Sequence, residues 1–305
     1  MSGAQRVFAA GPSVSVKGQW RPPAHRRLHG SDVTPAVTFV APYAAVLFAF
    51  AAYPIGYALW MGSKPSLYAD LIRDPYYLRS VVNTVIFVGV GVNVQMFLAL
   101  LLSGFFMRPR RWVRALLVVY VLPWTLPAVQ ASISFHWMLA GEDALVDRAL
   151  SVLFGVDGPL WFNHRWLALG ANIVAYVWKW MPFWTVIFLA GRMAIDRDIS
   201  DAAIVDGATG SRRFVHITFP LLANLYLICT LLATVWTIGE FTTVYFVSGG
   251  GPAWSTDVLA TLGFRYAFDF ANPALAVAAM MSVLPVLVPV VIVLLRQFQT
   301  RAVQL

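Results

Sequence analysis

Six long apolar stretches leave this chain few ways to fold. They run Ala36 to Met61, Ser80 to Met107, Ala115 to Gly141, Trp166 to Gly191, about Phe214 to Val247, and about Pro273 to Leu295. A hydrocarbon core about 30 Å thick takes about 20 helical residues to cross, and each stretch is long enough. The first three hold no Asp, Glu, Lys or Arg, the fourth holds only Lys179, and the fifth holds Glu240. Lipid offers no partner to an open strand edge, so helices are the expected spans. Composition agrees: 59% of the residues are hydrophobic, 12% are charged and the mean hydropathy is +0.70. The expected fold is all-α and polytopic, with six transmembrane helices. The fifth stretch exceeds what a bilayer needs, so its first turns are expected to tilt or to lie outside the membrane.

Orientation follows from Lys and Arg in the short connections, which concentrate on the cytoplasmic side. One side receives Arg6, Lys17, Arg21, Arg26, Arg27, Arg108, Arg110, Arg111, Arg114, Arg192, Arg197, Arg212, Arg213, Arg296 and Arg301. The other receives Lys64, Arg73, Arg79, Arg148, Arg165 and Arg265. Both termini are therefore expected in the cytoplasm, as in a multi-pass protein of the cell inner membrane. The net charge of +8 is this asymmetry, and no nucleic-acid partner is expected.

Residues 1–31 form a basic stretch with Pro22 and Pro23 but no apolar run of a cleaved signal, and read as a flexible cytoplasmic tail. Residues 32–305 read as one membrane domain with two sizeable external loops, 142–165 and 248–272. Cys229 is the sole cysteine and lies in an apolar stretch, which excludes a disulfide or a cysteine metal site. His136 and His216 read as segment-end or packed residues rather than ligands, and Met280 and Met281 as core filling. The stretch GGGP at 249–252 lacks a following Gly-Lys-Ser/Thr and reads as a turn, not a phosphate cradle.

Between the fourth and fifth stretches lies AIDRDISDAAIVDGATGSRRFVHITFP, residues 194–220, polar and on the expected cytoplasmic side. Ile199 to Ala208 suit a short helix, with Ser200 placed to cap its start, alanines favouring it and Gly207 permitting a turn after it. Asp201 lies near the positive end of the helix dipole. Ala202 and Ala203 leave room for another protein's surface, and Asp201 and Asp206 can accept its hydrogen bonds.

Asp201, Ala202, Ala203, Gly207, Ile217 and Pro220 together resemble the coupling loop of importer permeases in the ATP-binding-cassette family. The first acid there is usually Glu. Three further stretches fall in the family's order: LPWTLP at 122–127, YVWKWMPF at 176–183 and SGGGPAWST at 248–256. The match is to the sugar-type branch that includes maltose and glycerol-phosphate permeases. The chain differs from the maltose protein in lacking extra N-terminal helices and a large external domain. It also has Ala223 and Asn224 where a further proline often follows the loop. The resemblance implies a transport subunit rather than an enzyme, coupled through Asp201, Ala202, Ala203, Asp206 and Gly207 to an ATPase. Its implied partners are a second related permease, two ATPase subunits that bind ATP and Mg, and an external solute-binding protein. No cofactor or metal is implied in this chain itself.

Lys179 and Glu240 are the only charged residues deep in apolar stretches, where such groups cost about 2.5 to 3.5 kcal/mol on insertion scales. Tyr176, Lys179, Trp180 and Phe183 fall on one face of a helix, and Trp236, Thr237 and Glu240 fall together on the next. These positions match cavity positions of the maltose-type permeases, which implies a sugar site. Aromatic faces suit the C–H faces of pyranose rings, and a carboxylate accepts from paired hydroxyls. Two other readings stay open: an ion pair between Lys179 and Glu240, and a self-sufficient secondary carrier that uses the two charges for ion coupling. No inverted repeat of the kind found in many secondary carriers is visible. A membrane enzyme is the weakest reading, since no nucleophile, base and metal set can be assembled.

Overall fold

The computed structural model describes residues 30–141 and 144–302, so residues 1–29 of the expected tail lie outside the described residues. Two compact units are distinguished, Met1–Gly56 and Tyr57–Leu305. Every regular element among the described residues is helical. Helix α1 (Gly30–Leu47) runs through a π-helical turn into α2 (Tyr53–Gly62), then come α3 (Pro65–Arg73) and α4 (Pro75–Phe106). Both α3 and α4 begin with proline, whose missing N–H costs nothing in a first turn. Asp74 caps α4 by accepting from the Tyr76 N–H at 2.8 Å. Next are α5 (Arg111–Thr125), α6 (Ala128–Leu139), α7 (Leu145–Phe154), α8 (Arg165–Met193) and α9 (Arg197–Val205). After α9 follow α10 (Gly210–Arg213), a π-helical turn at Phe214–Thr218, α11 (Phe219–Ile238), α12 (Thr242–Val247) and α13 (Leu259–Phe264). Helices α14 (Pro273–Met281) and α15 (Leu284–Ala302) complete the described chain.

Five stretches are long and apolar enough to cross a membrane: Val37–Gly62, Pro75–Phe106, Arg165–Met193, Gly210–Ile238 and Pro273–Gln297. The sixth expected span is a pair, α5 and α6, bent by 97°. Pro127 accounts for the position of the break, because it has no N–H for the Pro123 carbonyl and disfavours helical backbone at Leu126. The fifth span also differs from expectation. Its helix ends at Ile238 rather than Val247, and α12 restarts after a break at 239–241.

Helices α4, α8 and α11 build the largest buried cluster: Val92, Met96, Ala99 and Leu100, with Trp184 and Phe188, and with Leu222, Cys229 and Ala233. The small residues Ala99, Cys229 and Ala233 allow close approach, as membrane helices without a hydrophobic drive between them require. A second cluster joins Leu71 of α3 to Leu262, Tyr266, Ala276, Ala278 and Ala279. The turn at 248–256 is tied to α4. Asn83 donates from Nδ2 to the Ser255 and Asp257 carbonyls, both at 2.8 Å, while Thr84 Oγ1 accepts from the Leu259 N–H at 2.9 Å. Arg265 closes the turn, with Nε 2.6 Å from Asp257 Oδ2 and Nη2 donating to the Gly249 carbonyl at 2.7 Å. Burial pushes the Asp257 carboxyl above its ordinary range, and the Arg265 guanidinium pulls the other way.

Candidate functional site

The segment joining α8 to α11 carries α9 exposed along most of its length. Asp201, Ala202, Asp206 and Gly207 are exposed, while Ala203 is buried. The helix begins at Arg197, two residues before the expected start, so Ser200 lies within it rather than at its cap. Asp196 holds that end instead, with Oδ1 accepting from the Asp198 N–H at 3.1 Å. At the other end the Asp206 N–H donates to the Ala202 carbonyl at 3.0 Å and the Ala208 N–H to the Ala203 carbonyl at 2.8 Å. Gly207 between them has φ +75°. This is the Schellman closure, and its left-handed residue favours glycine by about 1 kcal/mol or more. Val205 is 87% exposed, an apolar side chain at the tip that its place in a polar segment had hidden.

The intramembrane charges do not pair with each other. Lys179 Nζ donates to the carbonyls of Pro123 at 2.9 Å, Trp124 at 3.0 Å and Leu126. These carbonyls sit at the end of α5, where the bend removes the helical donors, and a cation at a helix C-terminus is also favoured by the dipole. The ammonium lies 5.4 Å from the Trp180 ring centroid. Glu240 serves the other break: its Oε1 accepts from the Thr243 N–H at 2.7 Å and from Thr243 Oγ1 at 2.8 Å, capping α12. Among the described residues no donor reaches Glu240 Oε2, and no cation pairs with the group. The two half-helices beyond the breaks, α6 and α12, are joined where His136 Nδ1 meets the Val247 carbonyl at 2.7 Å. His136 also stacks on Phe162, and His216 Nδ1 meets the Arg212 carbonyl at 3.0 Å.

Tyr176 and Thr237 are buried and bonded to each other, with Oη to Oγ1 at 2.7 Å, which links α8 to α11. Phe183 and Trp236 come together with ring centroids 5.9 Å apart. Trp124 joins them, 5.4 Å from Phe183, and was not among the residues singled out from sequence. Trp124 is 40% and Trp236 is 50% exposed, so each ring keeps accessible surface, Trp124 at the end of α5 and Trp236 in the last turn of α11. Trp180 is half-buried. Among the described residues no group of His, Cys, Asp and Glu is arranged to hold a metal.

Residues 77–301 match the model of the binding-protein-dependent transport system inner membrane component family. The chain belongs to that family. It is 30% identical over 261 residues to the sulfoquinovosyl glycerol transport system permease protein of Agrobacterium fabrum, covering 81% of this chain and 84% of that one. It is 32% identical over 278 residues to the lactose transport system permease protein of Rhizobium radiobacter, covering 86% and 93%. In fold it resembles a chain of a bacterial ABC transporter involved in the import of the acidic polysaccharide alginate. There the TM-score is 0.74 at 18% identity, over 88% of this chain and 98% of that one. The chain is thus a multi-pass inner membrane component of a transport system, as the coupling-loop residues and the apolar stretches together implied.

Proposed function

We propose that this permease carries a neutral sugar or polyol into the cell as one half of an ATP-driven importer. The observation that carries the reading is α9: a short helix, exposed between two spans and closed by a left-handed glycine, shaped to enter a cleft on another protein. In this reading both termini and α9 face the cytoplasm, where α9 docks on one of two ATPase subunits that hold ATP and Mg. A second related permease completes the pore, and a periplasmic solute-binding protein delivers the cargo.

ATP binding closes the ATPase pair, α9 carries the movement into the bundle, and the cavity opens to the opposite side. Such a shift requires a partner with different affinity for the two conformations. The naming of relatives as lactose and sulfoquinovosyl glycerol permeases supports a carbohydrate cargo. The patch of Trp124, Phe183 and Trp236 supplies stacking faces, and Glu240 Oε2 supplies an acceptor for a hydroxyl. Tyr176, Thr237, Lys179 and Trp180 then shape the site from behind. Ion coupling through Lys179 draws no support from its geometry, since its ammonium is engaged by three carbonyls.

The test is co-purification of the ATPase with Asp201→Lys and Gly207→Asp. Both variants are expected to insert in the membrane but to lose the ATPase and the hydrolysis stimulated by loaded binding protein. Unchanged association and unchanged stimulated hydrolysis in both would overturn the docking role of α9.

A further inference from the structure

Arg192, in the last turn of α8, ties together three elements next to the root of the α9 segment. Its Nε donates to Ser103 Oγ at 2.7 Å and its Nη2 to the Leu100 carbonyl at 3.0 Å, both near the end of α4. Its guanidinium carbon lies 5.4 Å from the centroid of the Phe214 ring, in the turn that enters α11. Ser103 is fully buried and bonds back to the Leu100 carbonyl at 2.6 Å, so this acceptor pair is held in place before Arg192 arrives. Ile195 and Phe214, close to the two ends of the α9 segment, both pack on the cluster that α4, α8 and α11 share. A planar guanidinium can fork to two oxygens while lying against an aromatic ring, whereas an ammonium is a point donor.

We infer that Arg192 is a positioning residue for energy coupling, clamping both roots of the α9 segment to α4 so that movement of α9 reaches the bundle. This rests on the proposed docking of the ATPase on α9. Each contact of the clamp has a separate consequence. Without the fork to Ser103 and Leu100, the end of α8 can turn relative to α4. Without the contact to Phe214, the entry of α11 is held to α8 by apolar packing alone. Either slack lets α9 follow the ATPase while the spans lag, so ATP is hydrolysed without transport. The clamp lies far along α8 from Lys179 and touches none of the proposed cargo groups, so cargo affinity is expected to stay unchanged.

The experiment uses the full importer in proteoliposomes and measures solute taken up per ATP hydrolysed, together with ATPase co-purification and the cargo concentration giving half-maximal uptake. Arg192→Lys, Arg192→Met and Ser103→Ala are compared with the parent chain. The expected result is retained co-purification, unchanged half-maximal concentration, and a transport-to-hydrolysis ratio lower by at least roughly fivefold in Arg192→Met, which loses both hydrogen bonds of the fork. Ser103→Ala should give a smaller fall, and Arg192→Lys should restore part of the ratio. Uptake and hydrolysis falling in equal proportion, or an unchanged ratio, would overturn the inference. Should Arg192→Met fail to assemble, Ser103→Ala decides the matter by the same ratio. Loss of co-purification in Asp201→Lys, measured beside them, tests the docking itself, so its failure and that of the clamp are read separately.

Discussion

A single carboxylate shows how two tasks can share one side chain. Glu240 uses Oε1 to cap α12 through Thr243, at 2.7 and 2.8 Å, and leaves Oε2 without a donor among the described residues. Replacing it by Gln keeps a carbonyl oxygen for Thr243 and removes the charge. Glu240→Gln is therefore expected to preserve assembly and thermal stability while weakening cargo recognition by about 1.5 to 3 kcal/mol, the worth of a charged hydrogen bond. Half-maximal uptake concentrations and a melting curve of the purified complex check it together. A lower melting temperature with unchanged cargo affinity would assign Glu240 to capping alone.

Among the elements, the bent pair α5–α6 is the least ordinary, and Lys179 is what makes it tenable. Among the described residues, the ammonium reaching from α8 is the donor to three carbonyls at the bend. Lys179→Met keeps the aliphatic stem but takes away the donor those carbonyls share, and a hydrogen bond from a charged group is worth about 1.5–3 kcal/mol. The melting temperature of the complex is expected to fall, with partial recovery in Lys179→Arg. An unchanged melting temperature in Lys179→Met would contradict the staple. The existence of the span was legible in the unbroken apolar run from Ala115 to Gly141, since hydropathy reports burial in lipid. Its bend was not, because hydropathy carries no direction, although Pro123 and Pro127 mark the place. In the same way Lys179 and Glu240 were legible as unusual, but Glu240 lies in the break after Ile238 rather than on a helical face with Trp236 and Thr237, and the carbonyls that hold Lys179 are backbone groups that no side-chain pattern can display. The start of α9 was missed because Asp196 precedes Ser200 as a cap, and one capping residue looks much like another in sequence.

On the scale of the whole molecule, the chain is a transport component whose proposed energy source and cargo carrier are other proteins. The proposed coupling segment joins α8 to α11, which share the largest core cluster with α4, while the break beside Lys179 and the Trp124 ring belong to α5 and α6, packed on α8. In the proposed account, the packing of Ile195 and Phe214 on that cluster is the route by which an event at α9 reaches the bundle. The same surface would serve a very different machine if the charges answered to an ion gradient instead. The direct measurement is uptake of a labelled sugar or polyol into proteoliposomes that hold the complete importer, with and without enclosed ATP, binding protein, and a proton or sodium gradient. The account predicts uptake only when ATP and binding protein are both present, whatever the gradient. Gradient-driven uptake without ATP that disappears in Glu240→Gln would contradict it.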